Sequence, residues 1–186
     1  MGSSSSQGAL ERSFGPSEVR DKMGSTGSVI GVCLSKRRRD PKKNVQRGYI
    51  KKGVGLVGDS HAGTEKEVSL LTMESVQAIC QRTGIEAPPG SFAENITIEG
   101  LELRTCPIGT EIQVGGARLK VIGVGKDPSA PHTYSYHGYS LLREEGIFCK
   151  VTKSGQVKVG DVVKIVRDRD GENDSLPGMS GAQPFS

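Results

Sequence analysis

The stretch Ile112-Gln113-Val114-Gly115-Gly116-Ala117-Arg118-Leu119-Lys120-Val121 alternates apolar and polar residues on either side of a Gly-Gly pair. Period-two alternation buries one face of a strand, and paired glycines readily take the positive φ angles of a two-residue turn. The segment therefore predicts a β-hairpin, and its neighbours read the same way. Val29 to Leu34 is rich in β-branched residues, and Glu67 to Leu71 is a further strand candidate. Ile147 to Val151 and Val162 to Val166 complete the set, with Ser154-Gly155 and Gly160-Asp161 as turns. One segment reads as a helix: Thr72 can cap its start, Val76, Ile79 and Cys80 form an apolar stripe, and Gly84 can close it. Short, closely spaced strands with a single good helix predict a mostly β, compact, β-barrel-like domain. No βαβ alternation is apparent, which argues against a dinucleotide-binding sheet.

At 186 residues, with 26 glycines and nine prolines, the chain has room for one loop-rich domain with a real core. Composition divides it into a polar tail over 1–26, a body over 27–166 and a second polar tail over 167–186. No apolar run approaches the ~18 residues of a membrane span. The Ser/Gly-rich start has no apolar segment of the kind a secretory signal carries. The four cysteines, Cys33, Cys80, Cys106 and Cys149, show no metal-type or redox-type spacing. Reduced thiols and a cytoplasmic location are expected.

The formal charge of +4 is unevenly spread. From Lys36 to Lys52 the chain is strongly basic, with Asp40 as the only acidic residue. A run of this kind can hold phosphates of a nucleic acid or a cofactor. The competing reading, a solvated loop between two strands, is preferred, because nucleic-acid readers interleave aromatics and only Tyr49 is present.

Two Gly-rich polar motifs stand out, Gly58-Asp59-Ser60-His61-Ala62-Gly63 and Pro89-Gly90-Ser91-Phe92-Ala93-Glu94-Asn95. Ionisable groups at bends point to a site rather than to a core. With Val68 to Ser75, the continuation of the second motif to Leu103, Pro107 to Thr110, Ile122 to Lys126, Glu145 to Phe148 and Val157 to Asp161, they resemble a MOSC domain. That module is named for the C-terminal part of molybdenum-cofactor sulfurases. No single piece is specific, but the ordered set is. The resemblance implies a mostly β, barrel-like fold with one or a few short helices. It also implies a pocket for the molybdenum cofactor (molybdopterin), or for sulfur received from a pyridoxal-phosphate-dependent cysteine desulfurase. Some relatives reduce N-hydroxylated substrates.

The chain departs from the family where the family carries its cysteines. Lys126 and a histidine survive, but the first cysteine falls in the Pro128 to Pro131 insertion, and the other two correspond to Ser135 and Ser140. A serine hydroxyl is neither a persulfide carrier nor a comparable soft ligand. Of the remaining thiols, Cys33 and Cys149 alternate with core residues, Cys80 sits on the helix stripe, and Cys106 lies in a loop where solvent reaches it. Ala93 stands at a family glycine, which implies that the backbone there need not take a positive φ.

His61, His132 and His137 are the only histidines. With Asp59 and Glu94 they offer N/O ligands for a divalent metal, or else His61 orders its own turn and the other two flank a Tyr-rich loop. Metal ligands are therefore left unassigned. His132, whose ordinary pKa is near neutrality, and Ser135 are the catalytic candidates. Asp59, His61, Lys66, Glu94, Asn95 and Lys126 are expected to bind the cofactor, the two lysines meeting phosphate and Asp59, Glu94 and Asn95 meeting a pterin edge. Asn95 reads equally well as a tie between two loops. The function expected is binding of a phosphorylated, molybdopterin-type ligand, or sulfur transfer. The alternatives are a non-catalytic binding module on the same barrel, and nucleic-acid binding through Lys36 to Lys52.

Overall fold

The computed structural model describes residues 26–38, 40–126 and 134–166. Eleven strands and two helices run in the order β1 (Thr26–Leu34), β2 (Lys43–Asn44), β3 (Arg47–Lys51), β4 (Gly55–Leu56), β5 (Val68–Thr72), α1 (Met73–Thr83), β6 (Ile96–Glu99), β7 (Glu111–Val114), β8 (Ala117–Val124), α2 (Leu141–Glu145), β9 (Ile147–Lys153), β10 (Gly155–Lys158) and β11 (Val162–Val166). Strands β11, β7, β8, β9, β5, β6 and β1 hydrogen-bond in that order, and β1 pairs β11 to close the barrel. Closure removes the exposed edges that an open sheet would present.

The hairpin predicted around Gly115-Gly116 is the β7–β8 pair, with Ile112 opposite Leu119 and Gly115 at φ +55°. Ile112, Val114, Ala117, Leu119 and Val121 all face the core, as their alternation requires. Helix α1 also forms as read. Thr72 accepts a hydrogen bond from the Ser75 amide, and Gly84 ends the helix at φ +74°. Its buried Val76 and Ile79 pack with Leu71, Phe92 and Leu141 in a second, smaller apolar cluster outside the barrel.

Three sequence expectations are corrected. Strands β5 and β6 pair in parallel across α1, so one βαβ unit is built into the barrel wall. The basic run is not a continuous loop, for it contributes β2 and β3, and its Lys42 is buried. Gly155, read as a turn residue, belongs to β10, which pairs β3 in a three-stranded sheet with β4. A Cβ at Gly155 would lie 2.2 Å from the Gly116 carbonyl carbon, so the glycine lets the hairpin turn seat against β10. Ile50, Leu56 and Val157 cover the barrel core from this small sheet.

Cys33 and Cys149 are buried within these strands, as expected of core thiols. Cys106 is half-buried rather than open to solvent, and packs against the main core. No helix among the described residues is long and apolar enough to cross a membrane.

Candidate functional site

The Gly58–Gly63 motif follows β4 and turns back on itself. Asp59 accepts hydrogen bonds from the amides of Ser35 and His61, both at 3.1 Å, which draws the end of β1 against the turn. Its Oδ2 is also 2.9 Å from Lys42 Nζ. Burial alone would raise the Asp59 pKa. The His61 side chain, whose Nδ1 is 3.6 Å from Oδ2, the Lys42 charge and hydrogen bond, and the Ser35 amide outweigh it and hold the carboxyl well below the usual carboxylate range. Burial pushes Lys42 in the same downward direction, against the opposing pull of Asp59.

The second motif, 89–95, forms a tight loop around one carboxylate. Glu94 is fully buried and accepts from the Gly90 amide at 2.6 Å, the Phe92 amide at 3.1 Å and Thr97 Oγ1 at 2.8 Å. Gly90 sits at φ +95°, where a Cβ would come within 2.2 Å of the Lys42 carbonyl oxygen. Only glycine lets this loop clasp Lys42. Ala93 also takes a positive φ, +67°, contrary to the expectation raised by its missing glycine. The Ala93 amide donates to the Gly90 carbonyl at 3.0 Å, so Ala93 closes the turn and takes its left-handed conformation where the chain leaves it toward Glu94. Asn95 does tie elements together. Its Oδ1 accepts from the Ser69 amide and hydroxyl, both at 3.1 Å, and its Nδ2 reaches the Cys33 carbonyl at 3.4 Å.

Between these two turns and α2 opens a cavity of about 520 Å³, a size suited to a cofactor or metabolite. Of the expected binding residues, His61, Lys66, Asn95 and Lys126 line it, whereas Asp59 and Glu94 lie behind the wall and brace its turns. Ser140 is on the wall and Ser135 is not. His132 lies outside the described residues. His137 packs edge-on against Tyr136 at 4.5 Å between ring centroids and does not line the cavity. Among the described residues no three His, Cys, Asp or Glu side chains converge as a metal site.

The sequence reading missed the centre of the cavity. Phe148 of β9 carries Lys66 Nζ at 4.4 Å and Lys126 Nζ at 5.3 Å from its ring centroid, distances at which a ring face attracts a cation. Arg143 of α2 lines the same wall. Lys126 is exposed overall, but partial desolvation against the cavity wall, then Lys66, then Arg143 push its pKa down. Neither lysine has a carboxylate within ion-pair distance among the described residues. Tyr134 also lines the cavity, its hydroxyl anchored on the Ser91 carbonyl at 2.6 Å. Tyr139 and Phe92 add apolar surface. The arrangement can hold an anion at one end and a flat apolar body beside it. All four cysteines lie off this wall.

The family model for the MOSC domain matches residues 57–164. Among solved structures, the YuaD protein of Bacillus subtilis superposes with a TM-score of 0.61 at 19% identity, over 75% of this chain and 95% of that one. YiiM of Geobacillus stearothermophilus gives 0.51 at 16% identity, covering 76% and 73%. YiiM of Escherichia coli gives 0.55 at 18%, covering 76% and 70%. No curated protein matches the sequence.

Proposed function

Because the chain belongs to the MOSC domain family, we propose that it binds a phosphorylated, molybdopterin-type ligand in the cavity around Phe148 and does so as a binding module rather than as a sulfur carrier. The observation that carries this reading is the pair Lys66 and Lys126 gathered on one ring with Arg143 beside them. Lys66 and Lys126 share one end of a half-enclosed cavity and repel each other, and an anion relieves that repulsion. A phosphate monoester supplies two negative charges and several acceptor oxygens. Tyr134, Tyr139 and Phe92 suit a planar ring system, and the Asn95 side chain, fixed by Ser69, leaves little freedom in the wall near it.

The donor set fits the organic, phosphorylated part of a molybdenum cofactor. It does not fit a thiolate-held metal, because none of the four cysteines lines the cavity. The same fact argues against a persulfide relay fed by a cysteine desulfurase. Burial pushes the Cys33 thiol up to about 12, with the Glu94 charge adding to the effect. Burial likewise raises Cys149 and Cys106. None of these is a thiolate at neutral pH.

The test is purification from a molybdenum-replete host without chelator, followed by pterin fluorescence and metal analysis of the released ligand. The expected result is a phosphorylated pterin lost on Lys66→Gln/Lys126→Gln substitution, with no persulfide after desulfurase treatment. Absence of any pterin, together with no thermal stabilisation by phosphorylated pterins, overturns the reading.

A further inference from the structure

The barrel carries a further concentration of positive charge on its outer surface, starting at Lys150, two residues along β9 from Phe148 on the same outward face. Side chains that alternate with the core residues of β11, β7 and β8 point outward, as does Lys150 of β9, while a register shift between Val151 and Lys153 lets exposed Lys153 join them; the pairing aligns these side chains in rows. One row runs Lys164, Gln113, Arg118, Lys153, each directly opposite the next. The adjacent row contains Glu111, Lys120 and Lys150. Three strand spacings make the first row about 14 Å long. The five cations are exposed; Glu111 is the carboxylate within the two rows, and Glu67 adjoins them, its Oε2 taken up by the Val151 amide at 3.0 Å and the Gly53 amide at 3.2 Å. None of the five has a carboxylate within ion-pair distance among the described residues.

Like charges directly opposite one another destabilise a sheet, and here it happens twice, at Lys120–Lys150 and at Arg118–Lys153. It happens a third time on the small sheet, where Arg47 faces Lys158. One residue, Ser154, separates β9 from β10, and its hydroxyl accepts the Lys52 amide at 2.9 Å. The Gly116 amide donates to the Gln156 carbonyl at 2.9 Å, which seats the β7–β8 turn against β10 two residues from Arg118. The basic run seen in the sequence therefore meets the barrel's basic rows along the β9–β10 line. At this junction lies a shallow groove walled by Arg47, Tyr49, Gln156 and Lys158. Tyr49 is 45% exposed there, directly opposite Gln156. Asp161 borders the groove, but its Oδ2 is engaged by the Lys158 amide at 2.9 Å.

We propose that the β8–β9–β10 face binds single-stranded nucleic acid, its phosphates on the cross-strand cation pairs and one base stacked on Tyr49. Cross-strand cation pairs that outnumber the nearby carboxylates, with none of these in ion-pair distance of the row cations, suit a polyanion with closely repeated charge. The exposed tyrosine between cations favours a strand whose bases are free to stack. A flat anionic membrane has no use for an aromatic ring set in the wall of a groove. The sequence weighed only the Lys36 to Lys52 run and found one aromatic in it. Folding adds the barrel cations to the outer surface and sets the one aromatic in a groove with Arg47 and Lys158.

The experiment is fluorescence anisotropy on the full chain with labelled oligo(dT) and oligo(U) of roughly 12–16 nucleotides. The same protein is tested on a duplex of equal length and on phosphatidylserine vesicles. Binding to the single strand is expected at about 50 mM salt, and it should weaken as salt rises. About five phosphate contacts give a slope near −3.5 in log K against log salt. Lys120→Gln/Lys150→Gln should lower that slope by about 1.4. Tyr49→Ala should weaken binding about tenfold with the slope unchanged. All these positions are on the surface, so melting temperatures at or above the wild-type value confirm that the variants fold. Salt-insensitive or undetectable binding, wild-type affinity in both variants, or preference for the duplex or the vesicles overturns the proposal.

Discussion

Lys42 Nζ lies 2.9 Å from Asp59 Oδ2, with both side chains only 2% exposed, so the cavity wall rests on an ion pair sealed from solvent. The pair joins the basic run to the Gly58–Gly63 turn, while the Gly90 loop encloses it from the other side. Removing one partner of a buried pair leaves the other charge uncompensated, whereas removing both charges costs much less. Lys42→Met should therefore lower stability by about 3–5 kcal/mol. Adding Asp59→Asn should restore part of it, because the amide keeps an acceptor for Ser35. Urea unfolding of the two singles and the double checks this, and an additive double mutant would refute the coupling.

The same pair sets an acid limit. A carboxyl whose folded pKa is depressed contributes stability that is complete above its unfolded value of about 3.9 and is lost as pH falls toward the folded one. Asp59 is depressed in this sense. Wild-type stability should drop more steeply below about pH 4 than that of Asp59→Asn. Parallel acid-unfolding curves would show that the carboxyl gains nothing on folding.

Ala93 at φ +67° holds a conformation that costs a non-glycine residue roughly 1–2 kcal/mol. Glycine relieves that strain but adds roughly 0.4–1 kcal/mol of unfolded-chain entropy. Ala93→Gly should thus stabilise the protein by about 0.5–1 kcal/mol, a gain visible as a higher melting temperature. Ala93→Val should act in the opposite direction, since a β-branched side chain is a worse fit to the left-handed region.

Elements whose signals are local were legible in the sequence. The β7–β8 hairpin and α1 each carry their alternation or stripe and their own turn or cap residues. Strand β6 is four residues long and sits inside a motif first read for its polar groups. Its parallel pairing with β5 is a long-range choice that no local pattern announces. The site followed the same division. His61, Lys66, Asn95 and Lys126, which line the cavity, were singled out because they are polar groups in or beside the motif segments. Phe148 was not, because an aromatic residue in a strand between Ile147 and Cys149 looks like core from sequence alone. The burial of Asp59 and Glu94 was hidden too, since a carboxylate at a glycine-rich bend reads the same whether it faces a ligand or its own backbone amides.

The cysteines should behave as buried thiols. In the native protein, a disulfide reagent should label Cys33 and Cys149 only as fast as the molecule unfolds, with Cys80 and Cys106 reacting first. Ser140 lines the cavity and Ser135 does not. A thiol introduced by Ser140→Cys should therefore label rapidly and be protected by a phosphorylated ligand, while Ser135→Cys should gain no such protection. Equal protection at both positions would mean that the cavity wall extends to Ser135.

Anion binding in the cavity should depend on pH through Lys126. Burial, Lys66 and Arg143 depress its pKa, so the ammonium loses its proton at a lower pH than an ordinary lysine. The charged form is the one that meets phosphate. Affinity for a phosphate monoester should consequently fall as pH rises through the depressed value, while the bound anion, by favouring the ammonium, draws protons onto the protein. Titration calorimetry in buffers of different ionisation enthalpy reads that uptake directly. Lys126→Gln should weaken binding and abolish the proton uptake together, whereas Lys126→Arg should retain affinity yet lose the pH dependence, because a guanidinium stays charged throughout. A wild-type pH profile in Lys126→Arg would place the titrating group elsewhere in the wall.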